Sequence, residues 1–336
     1  MLHHSEKRPQ LLLEWTVFLF TWLAIASAAH AQTFGIGVTG SRPALGNVTA
    51  GDSGDTVFRV APDGTITKIS GTGARVSTGS SSVTVTVTCG NQNQCNSRTL
   101  SGTISSVGSP TGRAGAMTNF DLSGSIISSE SGGNPRTFTV GAIGKSSSKT
   151  FTVGMDFPIK GDDTGGATGA AQSQFVITLV PNGTGNTVTT TGTGTATVYR
   201  SLAITKNSDL AFGKIVRPDS GSSTITINAT TGLRSLTGTA VALPIPSPSR
   251  ANYTVTGEGG RAVSITVPTS VVMTREGGSQ TLTVTTTKTV SGTPTLTSIM
   301  GMDGSYTFSV GGSLTLSSST VSGAYSGVFN VSAAYN

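Results

Sequence analysis

Apolar and polar residues alternate in short runs along most of the chain. Examples are "TVFRV" (Thr56–Val60), "VTVTVT" (Val83–Thr88), "STITINA" (Ser223–Ala229), "YTVTG" (Tyr253–Gly257), "AVSITV" (Ala262–Val267) and "QTLTVTTT" (Gln280–Thr287). A period of two sends successive side chains to opposite faces of a strand. Gly, Pro, Asn and Asp punctuate the runs, so the pattern predicts an antiparallel all-β sandwich. The many threonines, β-branched and able to occupy a solvent face, agree with strands. The last run, in "SGAYSGVFNVSAAYN" (Ser322–Asn336), puts Phe329, Val331, Ala333 and Tyr335 on one face. Such a strand needs a neighbour. One from its own sheet would make a closed sandwich, and one from another chain would make a building block; the sequence leans to the second.

Residues 1–31 depart from this pattern. Lys7 and Arg8 precede an apolar run, Val17–Ala29, that closes on Ala29-His30-Ala31. This is the form of a cleaved secretory signal, with an apolar core too short to anchor the chain stably in a membrane. All three histidines (His3, His4, His30) and both tryptophans (Trp15, Trp22) lie inside it. The mature chain therefore has no histidine for a Ser-His-Asp triad, a zinc site or a general base. The expectation is an exported protein with no enzyme activity, cofactor or metal.

Loss of Glu6, Lys7, Arg8 and Glu14 leaves the net charge at +6, carried by scattered residues. Without a basic stripe or interleaved aromatics, no nucleic-acid partner is expected. Charged residues make up 11% of the chain, against about 25% in ordinary soluble domains, which suits an extracellular β-protein. Cys89 and Cys95 enclose "GNQNQ" directly after an alternating run, and in an exported chain they read as a disulfide at a hairpin or loop tip. A metal half-site would have no histidine or further cysteine to complete it.

Set against itself, the chain shows a repeat. "PALGNVTAGDSGDTVFRV" (Pro43–Val60) aligns without a gap to "LAFGKIVRPDSGSSTITI" (Leu210–Ile227), so that Gly46 meets Gly213 and Gly71 meets Gly238. "FTVGMDFPI" (Phe151–Ile159) then matches "FSVGGSLTL" (Phe308–Leu316), and "GAAQSQF" (Gly169–Phe175) matches "GAYSGVF" (Gly323–Phe329). The order of motifs predicts two tandem sandwich units, 32–180 and 198–336, joined by a glycine- and threonine-rich linker, 181–197, that has no apolar face.

Other motifs read as turns. "AIGKSSSK" (Ala142–Lys149) lacks the first glycine of a phosphate-binding loop. "GDDTGG" (Gly161–Gly166) offers too few carboxylates for calcium. Glu130, Glu258 and Glu276 sit in Gly- or Ser-rich turns and form no glycosidase pair.

From Leu202-Ala203-Ile204-Thr205-Lys206 through "LAFGKIV", "FSVGGSLTL" and the final strand, the second unit resembles a family of exported bacterial domains of unknown function, grouped with pilin-like and spore-coat-protein-U-like sandwiches. The first unit looks like a divergent copy. The ending is similar to that of chaperone–usher pilus subunits, with a penultimate Tyr335, alternating Phe329, Val331 and Ala333, and Gly323 fourteenth from the end. This resemblance implies immunoglobulin-like folds, a secreted, cell-surface or periplasmic location in a Gram-negative-type bacterium, and a groove filled by a strand from a periplasmic chaperone or a like subunit. A closely spaced cysteine pair and a second sandwich depart from that family. A candidate donor strand is Phe34, Ile36 and Val38 in "QTFGIGVTG"; its period fits the first strand of the first sandwich equally well. The leading expectation is a structural or adhesive surface subunit. The alternative is a self-contained module that binds a host or surface glycan through loops such as Cys89–Cys95.

Overall fold

The computed structural model describes residues 34–39, 42–183 and 185–336, so the predicted signal peptide lies outside the described residues. The fold is all-β. The first unit runs through β1 (Phe34–Thr39), β2 (Ala44–Thr49), β3 (Thr56–Val60), β4 (Ile66–Ser70), β5 (Val83–Cys89), β6 (Leu100–Thr111), β7 (Thr118–Ser123), β8 (Ile127–Gly132), β9 (Arg136–Val140), β10 (Ser147–Ile159), β11 (Gly169–Pro181) and β12 (Val188–Tyr199). The second continues through β13 (Ala203–Ser208), β14 (Ile215–Val216), β15 (Ser222–Ile227), β16 (Arg234–Thr237), β17 (Val241–Ala242), β18 (Ala251–Glu258), β19 (Val263–Thr266), β20 (Ser270–Arg275), β21 (Thr281–Lys288), β22 (Asp303–Ser317), β23 (Tyr325–Ser326) and β24 (Ser332–Tyr335).

In the first unit one sheet has the order β1-β5-β10-β3-β4, with β7 also on β10, and the other the order β2-β12-β11-β6-β9-β8. The inward side chains of the two sheets meet in a single apolar core. Phe138 of one sheet lies against Phe151 of the other with ring centroids 5.8 Å apart, and Phe120 against Phe175 at 6.0 Å. Alternation along β5 buries Val83, Val85 and Val87 while the intervening threonines stay outside. The unit is thus a β-sandwich of the kind its period-two runs predict.

The second unit repeats the first sheet's succession, with β13 on β18, β18 on β22, β22 on β15 and β15 on β16. In both units one long strand changes partner midway. Ser147–Val153 of β10 pairs with β5 and Met155–Ile159 with β3, as Asp303–Val310 of β22 pairs with β18 and Gly312–Ser317 with β15. The switch falls at Gly154 and Gly311, where a Cβ would strike the carbonyl oxygens of Val60 and Ile227 respectively. Gly71 and Gly238 share a φ of +87°, open to glycine at little cost. Beside them the buried hydroxyls of Thr56 and Ser223 accept bonds from Gly73 N (2.9 Å) and Ala240 N (3.0 Å).

The expected linker, 181–197, is largely strand. Within β12, Val188–Val198 pairs antiparallel with β11, while Thr195–Tyr199 also pairs in parallel with β2. Between the buried Val188 and Val198 its inner face is made of Gly192, Gly194 and Ala196, small because the Phe175 ring and the Met117 and Phe157 side chains fill the space beside the two glycines. A face built of glycine and alanine has no apolar signal, so the period-two pattern is hidden. The candidate donor strand is β1, paired in register with β5 from Phe34↔Cys89 to Thr39↔Thr84 and with Phe34 in the core. It serves as the first strand of its own sandwich.

Cys89 and Cys95 form a disulfide, with Cα atoms 6.1 Å apart, that ties the end of β5 to a 3-10 turn at Asn93–Asn96. Closing so short a loop contributes about 2–3 kcal/mol in the chain-entropy picture. Gly144 N donates to Cys95 O at 2.9 Å and joins the turn to the loop before β10.

Candidate functional site

The two units differ in how they close. In the first, β12 lies between β11 and β2 and covers the core. In the second, the segment matched to β11 is interrupted: β23 pairs with β20, β24 pairs with β19, and the residues between them belong to no strand. Between this segment and Leu210–Arg217, the stretch matched to β2, no strand among the described residues takes the place of β12. An apolar groove of about 710 Å³ runs there instead.

Leu210–Arg217 forms one wall and Thr320–Tyr325 the other, over a floor of Met273, Leu282, Leu314 and Leu316. Leu314 and Leu316 stand where the first unit has Phe157 and Ile159, so the floor at Leu314 lies lower than its counterpart. The core below is divided into two clusters, with Leu210 and Phe329 touching both. Val216 and Val321 are exposed at the rim, and Val328 is 90% exposed. Lys214 and Arg217 line the groove, and among its described lining residues there is no carboxylate. Arg275 donates from Nε to Ser322 O at 2.8 Å and sits beside Gly323.

The predicted assembly residues are therefore divided. Gly323 lines the groove. Phe329, Val331 and Ala333 are half-buried against the core of the second unit, and β24 covers only Ser332–Tyr335. Tyr335 lies elsewhere, at the junction of the units. Its ring meets that of Tyr199 at 5.4 Å, and Arg261 stacks on Tyr199 at 4.5 Å. The Tyr335 hydroxyl donates to Arg200 O at 3.0 Å and accepts from Glu258 N at 2.6 Å. Burial, reinforced by the Glu258 charge against the bond from its backbone N–H, pushes the phenol up to about 12.

The same junction holds charges that sequence reading placed in turns. Glu258 is the last residue of β18 and fully buried; it accepts from Thr168 Oγ1 (3.0 Å), Arg200 N (3.1 Å) and Gly301 N. Arg113, 2% exposed, pairs with Asp162, which also accepts from Ser201 N (3.0 Å) and Ser201 Oγ (2.7 Å). Burial alone would raise the Asp162 carboxyl, but the bonds from Ser201 and Arg113 outweigh it and hold the pKa below the ordinary value. Because the folded value is depressed, this contribution to stability is complete above the unfolded pKa of about 4 and is lost as pH falls through the folded value. Thermal unfolding followed from pH 7 downward should show that loss in the wild type and a flatter profile in Asp162→Asn. Identical slopes would show that the junction does not depend on this carboxylate.

Comparison with known proteins bears on the second unit. A family described as "Domain of unknown function (DUF4402)" matches residues 202–335, the stretch that carried the sequence resemblance. No curated protein matches the chain. Among solved structures, a chain from a structure described as "Chaperone-tip adhesin complex is vital for synergistic activation of CFA/I fimbriae biogenesis" is similar over 89% of this chain and 97% of its own, at 9% identity and a TM-score of 0.23.

Proposed function

We propose that this chain is a non-enzymatic, exported structural or adhesive surface subunit whose second unit is completed by a β-strand from a chaperone or a neighbouring subunit. The observation that carries this reading is the contrast between the units: the place filled by β12 in the first is an open apolar groove in the second. An added strand would cover the leucine floor and pair with the edge beside it, the usual logic of strand addition. The matched partner switches, glycine conformations and buried hydroxyl bonds support the further reading that the units are copies of one ancestral domain.

The test supplies the strand in cis. A short glycine- and asparagine-containing turn and an alternating strand like Val83–Thr88 are added beyond Asn336, so that the strand can fold back antiparallel to β24. Covering several apolar side chains contributes a few kcal/mol, so the melting transition of the second unit should rise by about 8 °C or more. Hydrogen exchange at Ala211–Val216 and Gly327–Val331 should slow with it. An unchanged melting temperature and unchanged exchange would remove the groove as a strand site.

A further inference from the structure

We propose that Met300 is an oxidation site that governs the junction of the two units: conversion of its thioether to the sulfoxide by a peroxide frees the turn at residues 298–302 from the first unit and loosens the connection at Arg200. This does not depend on the strand-addition reading.

The methionines divide by position. Met117 and Met155 are fully buried in the first unit, and Met273 is half-buried under the groove. Met300 and Met302, the two exposed methionines among the described residues, stand in one turn just before β22. Little favours that turn in isolation. Ile299 is 69% exposed, Met302 56% and Met300 37%, so three large apolar side chains meet water within four positions. Ser298 has a φ of +67°, a conformation that residues other than glycine seldom adopt. What holds the turn is the junction. Gly301 N donates to the buried Glu258 carboxylate, which also accepts from Thr168 Oγ1 of the first unit. Arg200 Nη2 donates to Gly301 O at 3.1 Å, and Gly259 N to Met302 O at 2.9 Å. With so little burial behind it, the turn rests on these few bonds and on one side chain.

That side chain is Met300. Its sulfur lies 3.6 Å from where a Cβ would stand on Gly169, the first residue of β11, so the thioether rests on bare backbone of the first unit. Arg261 Nη2 donates to the same sulfur at 3.6 Å, while its guanidinium stacks on Tyr199, which in turn meets Tyr335. In the oxidation a sulfur lone pair attacks one oxygen of hydrogen peroxide. An S–O bond forms as the O–O bond breaks, the proton of the transferred oxygen passes to the departing hydroxide, and water leaves; sulfur gives up two electrons and the peroxide takes them. The product is polar, and larger by one oxygen where the fit is against the backbone of Gly169. Its oxygen accepts hydrogen bonds far better than a thioether does, and the donor beside it is Arg261. The guanidinium is therefore drawn from Tyr199 as the sulfoxide turns away from the first unit. Once the apolar contact is gone, the conformation of Ser298 and the exposure of Ile299 both act to move the turn.

The experiment treats the mature chain from Gln32, its disulfide intact, with dilute hydrogen peroxide. Peptide mass mapping should find one added oxygen at Met300 and at Met302 while Met117 and Met155 stay reduced. Hydrogen exchange at the Gly301 amide and tryptic cleavage after Arg200 should each accelerate about tenfold. Both rates should return to their starting values when the two methionine sulfoxide reductases restore the thioethers. Met302→Leu should respond to peroxide as the wild type does, and Met300→Leu should keep the slow rates before and after treatment. Met300→Gln, which places a polar acceptor there without oxidant, should be fast from the start. A Met300 that stays reduced while Met302 is oxidised overturns the site. Sulfoxide at Met300 with unchanged exchange and cleavage overturns the junction role, as does a Met300→Leu chain that still accelerates or a Met300→Gln chain that stays slow. Should Met300→Leu be fast before treatment, the wild-type chain before oxidation, after it and after enzymatic reduction decides the matter.

Discussion

Replacing Glu258 with alanine is expected to lower the stability of the second unit by about 3–5 kcal/mol, since three donors would lose their acceptor in a buried site. Those donors are Thr168 Oγ1 from the first unit, Arg200 N from the connection and Gly301 N from the second unit, so a single carboxylate fastens all three segments. Glu258→Gln keeps an amide oxygen as acceptor and should lose clearly less. Calorimetry of the mature chain should show the transitions of the two units separating in Glu258→Ala, with proteolysis appearing between Tyr199 and Leu202. A variant that melts like the wild type and resists proteases would mean that other contacts hold the junction.

The second large effect is expected in the first unit. A Cβ at residue 192 would overlap the edge of the Phe175 ring, 2.1 Å from Cζ, so Gly192→Val must displace either that ring or β12 itself. Overpacking of this kind costs about 2–3 kcal/mol, and Phe175→Ala alone should cost about 3–5 kcal/mol through the cavity it leaves. Combined, the two changes should destabilise by less than their sum, because the valine enters space that the ring has left. Urea unfolding of the two single variants and the double variant measures that coupling. Strict additivity would show that β12 does not press on Phe175.

These two sites also mark where the sequence could and could not be read. Runs such as Val83–Thr88 announced their strands because one face is apolar and β-branched, and β5 occupies that run with one residue more. The glycines of the matched motifs sit where the backbone tolerates few other residues, Gly71 and Gly238 at a φ of +87° and Gly154 and Gly311 against a neighbouring carbonyl oxygen. β12 escaped because its inward residues are small for a tertiary reason, the bulk of Phe175, Met117 and Phe157 opposite them. The junction escaped because Arg113, Asp162, Glu258 and Tyr335 are far apart along the chain, and nothing local to any of them signals the others. Tyr335, read from the sequence as part of an assembly strand, has Tyr199, Arg200 and Glu258 as its partners here. The groove could not be seen in a strand pattern, because it is defined by a place that no described strand fills.

The parallel pairing of β2 with β12 has a consequence for the order of events in folding. Val48 meets Val198, so the first and last strands of the second sheet come together across nearly the whole unit, a contact whose loop-closure cost is high and which is expected to form late. As an exported chain emerges N-terminus first, β1 to β11 appear before the residues that cover Phe175 and Phe157. Until Tyr199 has followed, the nascent first unit exposes a transient cleft corresponding to the one that persists in the second. Any factor able to shield such a cleft would meet it twice on each chain, first briefly and then lastingly, and the time spent in the first encounter is set by how fast residues 182–199 arrive.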